Sequence, residues 1–267
     1  MSTPLEIAAS LARQGGKLIA TAATKRREVE HKSPVDLVTA TDRAVQELVV
    51  SGLERAFPSH SIVAEEGADG IRPTGAVWYV DPLDGTANFV HGIPHCSVSI
   101  SLIVDEVPQA AAVMNPFRDE LFTAARGDGA HLNGKPIHVS ATTLLNDAML
   151  VSGFPYDRRD HVDFYLQWFK TFLIQARDVR RFGSAALDLC DVACGRFDGF
   201  WEWGLHSWDT AAGILILTEA GGQISDFDGA PFDPWLPRIL ATNGALHAEM
   251  LGVLGELGGA LAPPGDP

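Results

Sequence analysis

The spacing of apolar residues predicts two helices at the start of the chain and a strand-rich stretch after them. Apolar positions recur at helical intervals from Leu5 to Ala22, which predicts an amphipathic helix over residues 4–24. A second helix is predicted after Thr39-Ala40-Thr41-Asp42, with Pro58 just past its end. Strand-like runs then occupy residues 61–64, 77–80, 96–104, 109–114 and 121–125, and Asn133-Gly134 predicts a hairpin turn.

From about residue 148 the pattern changes to strands and helices in alternation. Strands are predicted over 149–151, 179–182, 197–203, 223–227 and 239–242, with helices over 159–175, 184–194, 208–220 and 244–258. Residues 259–267 are predicted to be a frayed tail. We therefore expect an α/β protein whose first half, residues 1–145, is α+β, and whose second half, residues 146–267, is α/β. The two halves form one compact unit with a cleft between them.

Composition excludes several classes of partner. The chain has 267 residues, of which 46% are hydrophobic and 20% charged, as in a soluble globular protein. A formal charge of −14 argues against nucleic acid and anionic membranes as partners, and the run Lys25-Arg26-Arg27 is interpreted as helix-end charge. No long apolar run or signal peptide is found, and three cysteines fit a reduced, cytoplasmic protein. Cys190 and Cys194, at helical spacing, are interpreted as packing residues rather than metal ligands.

The strongest chemical signal follows the predicted strand 77–80. It is the segment Asp81-Pro82-Leu83-Asp84-Gly85-Thr86, in which two carboxylates stand three residues apart. Pro82 restricts the backbone, so both carboxylates can point the same way. Gly85 lets a ligand approach the backbone, and the N–H groups that follow can bind phosphate oxygens. The segment predicts a site that holds hard cations against a phosphate.

Other acidic residues lie at predicted element ends. Glu65-Glu66 follows the strand 61–64, Asp42 opens the second helix, and Asp209 opens the helix 208–220. Each alone could be a helix cap or a solvated loop residue. Together they form an oxygen-only ligand set, which is typical of Mg²⁺ sites. Two such ions about 4 Å apart would bind the attacking and leaving oxygens in a phosphoryl transfer.

With these acidic segments, the sequence resembles the inositol monophosphatase family. The resemblance spans about residues 5–250 and rests on six ordered segments: Ser33 to Asp42, Glu65-Glu66, Asp81 to Phe89, Gly183-Ser184-Ala185-Ala186, Trp208 to Gly213, and Thr218 to Gly222. It implies an αβαβα layered sandwich, Mg²⁺-dependent hydrolysis of a small-molecule phosphate monoester, inhibition by lithium, and a homodimer.

The resemblance also implies a role for each site residue. Glu65, Asp81 and the Leu83 carbonyl would bind one Mg²⁺, and Asp81, Asp84 and Asp209 a second. Glu65 would help to hold a third ion, mostly through water. Asp42 and Thr86 would orient and deprotonate the attacking water. The backbones of Gly85 and Thr86 would bind the phosphate, and the alcohol would meet Asp84, Glu202 and the loop Gly183-Ser184-Ala185.

Sequence reasoning leaves the substrate open. Ala185 and Glu202 favour inositol monophosphate, while histidinol phosphate, fructose 1,6-bisphosphate and adenosine 3′,5′-bisphosphate are alternatives within the family. Trp201 and Trp203 could stack on a nucleobase, although large aromatics on a strand are typical of a core. Arg180 and Arg181 are candidates for a second phosphate or a subunit interface, and the segment 153–157 departs from the animal enzymes. A regulatory role as a partner of the transcription machinery is a further hypothesis.

Overall fold

The computed structural model describes residues 2–24, 29–31, 37–67 and 70–258. Three features of the sequence lie outside these ranges: the basic run at 25–27, residues 33–36 of the first family segment, and the tail 259–267. Among the helices in the described ranges, none combines the length and the apolar character needed to cross a membrane.

Seven α-helices lie in the described ranges. They are α1 (Pro4–Ala22), α2 (Ala40–Ala56), α3 (Thr86–His91), α4 (Val162–Gln175), α5 (Ala185–Ala193), α6 (Ser207–Glu219) and α7 (His247–Gly258). A short 3₁₀ turn, Leu145–Asp147, connects the two strand-containing halves. Local chemistry explains the start of α1, because Thr3 caps it, Pro4 occupies its first turn, and Glu6 completes a capping box.

The larger sheet of the described residues has seven strands in sequence order. They are β3 (Ser61–Ala64), β4 (Ala76–Asp84), β5 (Ser97–Val104), β6 (Val107–Asn115), β7 (Glu120–Ala125), β8 (Ala130–Leu132) and β9 (Lys135–Pro136). Only the pair β3–β4 is parallel. The predicted hairpin at Asn133-Gly134 is confirmed, with both residues at positive φ as a two-residue hairpin turn requires.

Elsewhere in the described chain there are a five-stranded sheet and a two-stranded ribbon. The five strands run in the order β11 (Asp178–Arg180), β10 (Met149–Ser152), β12 (Gly199–Trp203), β14 (Arg238–Thr242) and β13 (Gln223–Ser225). Strand β10 is parallel to both β11 and β12, whereas β14 is antiparallel to its two neighbours. The ribbon pairs β1 (Val29–His31) with β2 (Leu37–Thr39).

The elements stack in five layers, which confirms the expected αβαβα sandwich. Helices α1 and α2 pack on one face of the larger sheet, and α5 and α6 pack on its other face. Helix α5 also contacts β10, β12 and β14, so this helix pair separates the two sheets. Helices α4 and α7 cover the outer face of the smaller sheet. Apolar side chains fill each boundary between layers, as in the cluster that joins Phe122, Leu189 and Phe200.

Most predicted elements are present, with shifted ends. Helix α4 begins at Val162 rather than at 159, and β11 ends at Arg180 rather than at 182. Strand β4 extends four residues beyond the predicted end, through Asp84. The six-residue α3 and the ribbon β1–β2 have no prediction, since each is too short to establish a periodic apolar pattern. The division into halves at 145/146 remains an interpretation.

Candidate active site

A bulge at the end of β4 brings its two aspartates to one side. Asp81 pairs with Ser99 and Asp84 with Ser97, so three residues on β4 span two on β5. In a regular strand, side chains three positions apart point to opposite faces. The extra residue restores a common direction for the two carboxylates. The backbone N–H of Leu83 donates to Asp81 Oδ1 at 2.9 Å and stabilises the bend.

Gly85 makes the sharp change from β4 to α3. Its φ is +92°, a conformation that favours glycine. A Cβ at this position would lie 3.1 Å from the carbonyl oxygens of Gly183 and His95, so the backbones are already in close contact. Asn88 links the same loops, because its Nδ2 donates to His95 O at 2.8 Å and to Phe182 O at 2.7 Å.

The capping box of α2 holds Asp42 in place. Thr39 caps the helix, and Asp42 returns a bond by accepting from the Thr39 backbone N–H at 2.9 Å. The other carboxylate oxygen of Asp42 accepts from Thr86 Oγ1 at 3.0 Å. Thr86 Oγ1 also lies 2.9 Å from the carbonyl oxygen of Leu83. Asp42 is therefore both a capping residue and the partner of the predicted catalytic hydroxyl.

Asp209 has the corresponding position on α6. It is the third residue of that helix, and its Oδ2 accepts from the backbone N–H of His206 at 2.7 Å. The ring of His206 stacks on Trp208, with ring centroids 4.6 Å apart. The capping explanation that sequence reasoning allowed for Asp42 and Asp209 is thus correct, and it coexists with their position at the site.

One cavity of about 360 Å³ collects the predicted residues. Its lining includes every residue predicted as a metal or substrate ligand: Glu65, Asp81, Leu83, Asp84, Gly85, Thr86, Gly183, Ser184, Ala185, Glu202 and Asp209. Asp42 is fully buried behind Thr86 rather than in the lining. A larger cavity of about 600 Å³ borders β3 and α2, and its lining lacks the aspartates.

The N-terminus of α5 closes the cavity opposite β4. Ser184 Oγ donates to Asp84 Oδ2 at 2.5 Å, and the backbone N–H of Ala186 donates to the same oxygen at 2.9 Å. Ser184 Oγ also lies 3.4 Å from Ser97 Oγ on β5. These bonds connect two segments a hundred residues apart in the sequence and bring the loop at Gly183 to the aspartates.

Burial and mutual repulsion disfavour charge on the clustered acids. Burial and the negative charges of Glu65, Asp84 and Asp209 raise the pKa of Asp81 well above its usual range. Burial and the charge of Asp209 raise the pKa of Asp84 to about 7. Burial also raises the pKa of Glu202 to about 8, although the guanidinium of Arg181 opposes this change. Burial raises the pKa of Asp42 in spite of its bonds from Thr39 and Thr86.

This donor set fits a divalent hard cation. It consists of carboxylate and carbonyl oxygens, the ligands that Mg²⁺ and Ca²⁺ prefer. In the part of the chain that the structure describes, no three His, Cys, Asp or Glu side chains already form a compact ligand cluster. Repulsion keeps like charges apart, and a cation is the group that would stabilise their approach. Glu65, Asp81, Asp84, Asp209 and the Leu83 carbonyl would be its ligands.

The cavity also includes residues to which the sequence assigned no definite role at the site. Phe154-Pro155-Tyr156, from the segment 153–157 that departs from the animal enzymes, lines it together with Leu205, His206 and Trp208. Arg158 was missed, because it follows β10, a strand of the other sheet, and no local pattern places it here. Arg181 lines the cavity, whereas Arg180 pairs with Asp178 at 2.5 Å. Trp201 and Trp203 are buried against α4, which confirms the core interpretation.

Comparison with known proteins gives a consistent result. A sequence profile of the inositol monophosphatase family matches residues 1–257. The chain is 45% identical over 252 residues to a Synechocystis protein named inositol-1-monophosphatase, covering 94% of this chain and 88% of that protein. It is 44% identical over 238 residues to the Nus factor SuhB of Pseudomonas aeruginosa, covering 86% and 88%.

A solved structure of inositol monophosphatase from Anabaena superimposes on the fold with a TM-score of 0.86 at 42% identity. The alignment covers 94% of this chain and 95% of that one. Since a profile match over nearly the whole chain agrees with close relatives and with the architecture, the chain belongs to the inositol monophosphatase family.

Proposed function

We propose that this protein is a cytoplasmic, Mg²⁺-dependent phosphomonoesterase that hydrolyses inositol monophosphate. Membership of the family supports phosphatase activity. The observation that carries the proposal is that one cavity is lined by five acidic residues, by Thr86 and by the loop at Gly183-Ser184-Ala185. The homodimer and the sensitivity to lithium remain predictions from the resemblance.

Thr86 and Asp42 provide a route for the proton of the attacking water. Thr86 lines the cavity, and its Oγ1 is within hydrogen-bond distance of Asp42 Oδ1 and Leu83 O. Asp42 is buried and its pKa is raised, so its carboxylate is a better proton acceptor than an exposed aspartate. As water attacks phosphorus, Thr86 would accept its proton and pass its own to Asp42.

The acidic residues provide the binding site for the cations. When bound, Mg²⁺ supplies electrostatic stabilisation of the developing charge on the phosphoryl oxygens. Asp81 is the central residue of the set, because the charges of Glu65, Asp84 and Asp209 all act on its carboxyl. The backbone N–H groups at Gly85 and Thr86 would orient the phosphate, and the positive φ of Gly85 permits this turn.

The alcohol side of the cavity supports a polyol. Glu202 lines it close to Arg181, and the N-terminus of α5 presents Ser184 and Ala185. The carboxyl group of Glu202 can form hydrogen bonds with vicinal hydroxyls in either protonation state, which matches inositol better than an apolar alcohol. Stacking of a nucleobase on Trp201 or Trp203 is disfavoured, since both side chains belong to the core beside α4.

A panel of phosphate esters tests the substrate. We expect inositol 1-phosphate to have the highest kcat/KM at fixed Mg²⁺, compared with histidinol phosphate, fructose 1,6-bisphosphate and adenosine 3′,5′-bisphosphate. A difference of about tenfold corresponds to about 1.4 kcal/mol of transition-state binding. If another ester exceeds inositol 1-phosphate by that factor, the substrate assignment fails while the phosphatase chemistry stands.

A second function is suggested by the relative named as a Nus factor. The 44% identity to that protein favours a test of association with the transcription machinery. The net charge of −14 disfavours direct contact with RNA, so the partner would be a protein. Affinity purification of the tagged chain from its own cells, with Asp84→Asn in parallel, would decide this. Recovery of no polymerase or Nus component would exclude the second function.

A further inference from the structure

Gly153 lies against the carboxylate of Glu202. Strand β10 pairs in parallel with β12, and Ser152 is the register partner of Trp201. Ser152 Oγ donates to the carbonyl oxygen of Trp201 at 2.7 Å and secures this end of the pair. Gly153, the first residue after β10, therefore lies beside Glu202 on β12. The residues that line the cavity, 154–156 and 158, follow directly.

The absence of a side chain at 153 makes room for the carboxylate. A Cβ at this position would overlap both oxygens and the carboxyl carbon of Glu202, all within 3.0 Å. Gly153 does not have a positive φ, so its backbone conformation is open to other residues. Space, rather than backbone conformation, is what requires glycine here.

A substitution at 153 would displace Glu202 rather than the backbone. The overlapping atoms are the end of a flexible side chain, which can change rotamer. Glu202 is itself 8% exposed and lies among the charges of Asp84, Asp209 and Arg181. A displaced carboxylate would therefore move away from the charge of Arg181, or it would enter the volume that the alcohol occupies in the proposed function.

We infer that Gly153 is a specificity-determining position, which sets the placement of the Glu202 carboxylate against the alcohol of the substrate. The inference rests on the proposed function, in which Glu202 meets polyol hydroxyls. Gly153 acts through Glu202 and touches no reacting atom. The cleavage chemistry depends on Asp81, Asp84, Thr86 and Asp209, whereas the choice of alcohol depends on the pair Gly153–Glu202.

Gly153→Ala is the direct test, with inositol 1-phosphate and p-nitrophenyl phosphate as substrates. We expect the ratio of their kcat/KM values to fall by about tenfold, mainly through KM for the polyol ester, because a binding contact is lost. Shortening the acid should relieve the overlap. We therefore compare Gly153→Ala/Glu202→Asp with Glu202→Asp alone. In this background, alanine at 153 should lower the ratio of kcat/KM values by only about threefold or less.

Thermal unfolding provides a readout that does not depend on activity. Gly153→Ala should lower the melting temperature, and the same change in a Glu202→Ala background should lower it much less, since the colliding atoms are gone. Gly252→Ala, inside helix α7, is the control for an added methyl group, because nothing lies within 4 Å of a Cβ there. It should not lower the melting temperature, since alanine is the better helix former. This cycle also remains informative if the single variant folds poorly.

The outcomes separate the inference from the proposed function. An equal loss for both esters, or a substrate ratio within twofold of the wild type, would overturn the role of Gly153. If Glu202→Ala leaves the ratio unchanged, the polyol role of Glu202 fails, and the stability cycle still tests the contact. Selective loss of the polyol ester with rescue by Glu202→Asp supports both.

Discussion

At the scale of single residues, the site is defined by acids held where charge is costly. Asp81 and Asp84 are surrounded by other carboxylates, and burial alone is the largest influence on the pKa of each. Such a cluster weakens folding unless it binds cations or protons. Asp188 on α5 does not line the cavity, although the charges of Glu202 and Asp84 act on its carboxyl group. Its two oxygens have no hydrogen-bond partner among the described residues.

Asp84 tests the mechanism most directly. We expect Asp84→Asn to lower kcat by more than ~10²-fold, because it removes a charge that would bind the cation and stabilise the transition state. Steady-state kinetics with saturating Mg²⁺ is the measurement. Asp188→Asn is the matched control, since it makes the same chemical change on a nearby acid outside the lining. Comparable activity in the Asp84 variant and the wild type would exclude the proposed mechanism.

Asp188 also predicts a pH dependence of stability. Burial and the charge of Glu202 raise the pKa of Asp188 well above its value of 3.8 in an unfolded chain. The unfolded state therefore loses this proton first, and the wild type loses stability as the pH rises above about 3.8.

Asp188→Asn should thus be more stable than the wild type, with an advantage that is larger at pH 8 than at pH 5. We expect roughly 1–3 kcal/mol in the free energy of unfolding at pH 8. Urea titrations of both proteins, with added chelator, at the two pH values measure this. An advantage that is constant with pH would show that Asp188 titrates normally.

At the scale of elements, helix starts and a strand bulge position the chemistry. The third residues of α2 and α6, Asp42 and Asp209, complete capping interactions and also reach the site. The bulge in β4 aligns Asp81 with Asp84. Common local motifs therefore hold these side chains, so the capping interpretation of Asp42 and Asp209 is compatible with the predicted roles of both residues at the site.

The cap of α2 can be separated from ordinary helix stability. Thr39→Ala should lower the free energy of unfolding by about 1 kcal/mol, as for other lost N-caps. It should also lower kcat, because the Asp42 carboxylate loses the hydrogen bond from Thr39 Oγ1 and the Asp42 backbone N–H loses that hydroxyl as its acceptor. Thr3→Ala is the matched control, since Thr3 and Glu6 form the same capping box on α1, far along the chain and exposed.

Thermal melts and kcat of both variants are the measurement. We expect similar losses of stability, with reduced turnover confined to Thr39→Ala. Equal effects on turnover would mean that the Asp42 cap contributes only to folding.

At the scale of the whole molecule, the site exists because two sheets share one helical layer. Helices α5 and α6 lie between the sheets and present Ser184 and Asp209 to the end of β4. The smaller sheet adds Glu202 from β12. Residues from both halves of the chain therefore line one cavity, and a ligand that binds there should stabilise both halves together.

Binding of Mg²⁺ should raise the melting temperature of the protein. A cation at about 100 times its Kd adds about 2.7 kcal/mol to the free energy of unfolding, which corresponds to several degrees for a chain of this size. Removal by EDTA should reverse the shift. Asp81→Asn should melt higher than the wild type in EDTA, because repulsion is reduced, and should respond less to Mg²⁺. NaCl at matched ionic strength controls for screening, and an equal shift with NaCl would contradict a specific site.

The sequence by itself determined most of the helices and strands, and it predicted residues that line one cavity. Apolar periodicity and turn residues act between near neighbours, so helices, strands and the Asn133-Gly134 hairpin could be predicted. The carboxylates were also predictable, since the segment from Asp81 to Thr86 carries its chemistry in adjacent residues. The metal ligands and their roles remain predictions that the cavity supports.

Only the tertiary structure decided which distant residues meet. Three contacts depend on how the layers stack. They are the hydrogen bond between buried Asp42 and Thr86, the bond from Ser184 to Asp84, and the contact of Gly153 with Glu202. No local pattern encodes such contacts, because packing energy is shared among many apolar residues in several elements. The sequence therefore indicated how a phosphate ester would be hydrolysed, and the packing of the two sheets determined which residues line the part of the cavity where the alcohol would bind.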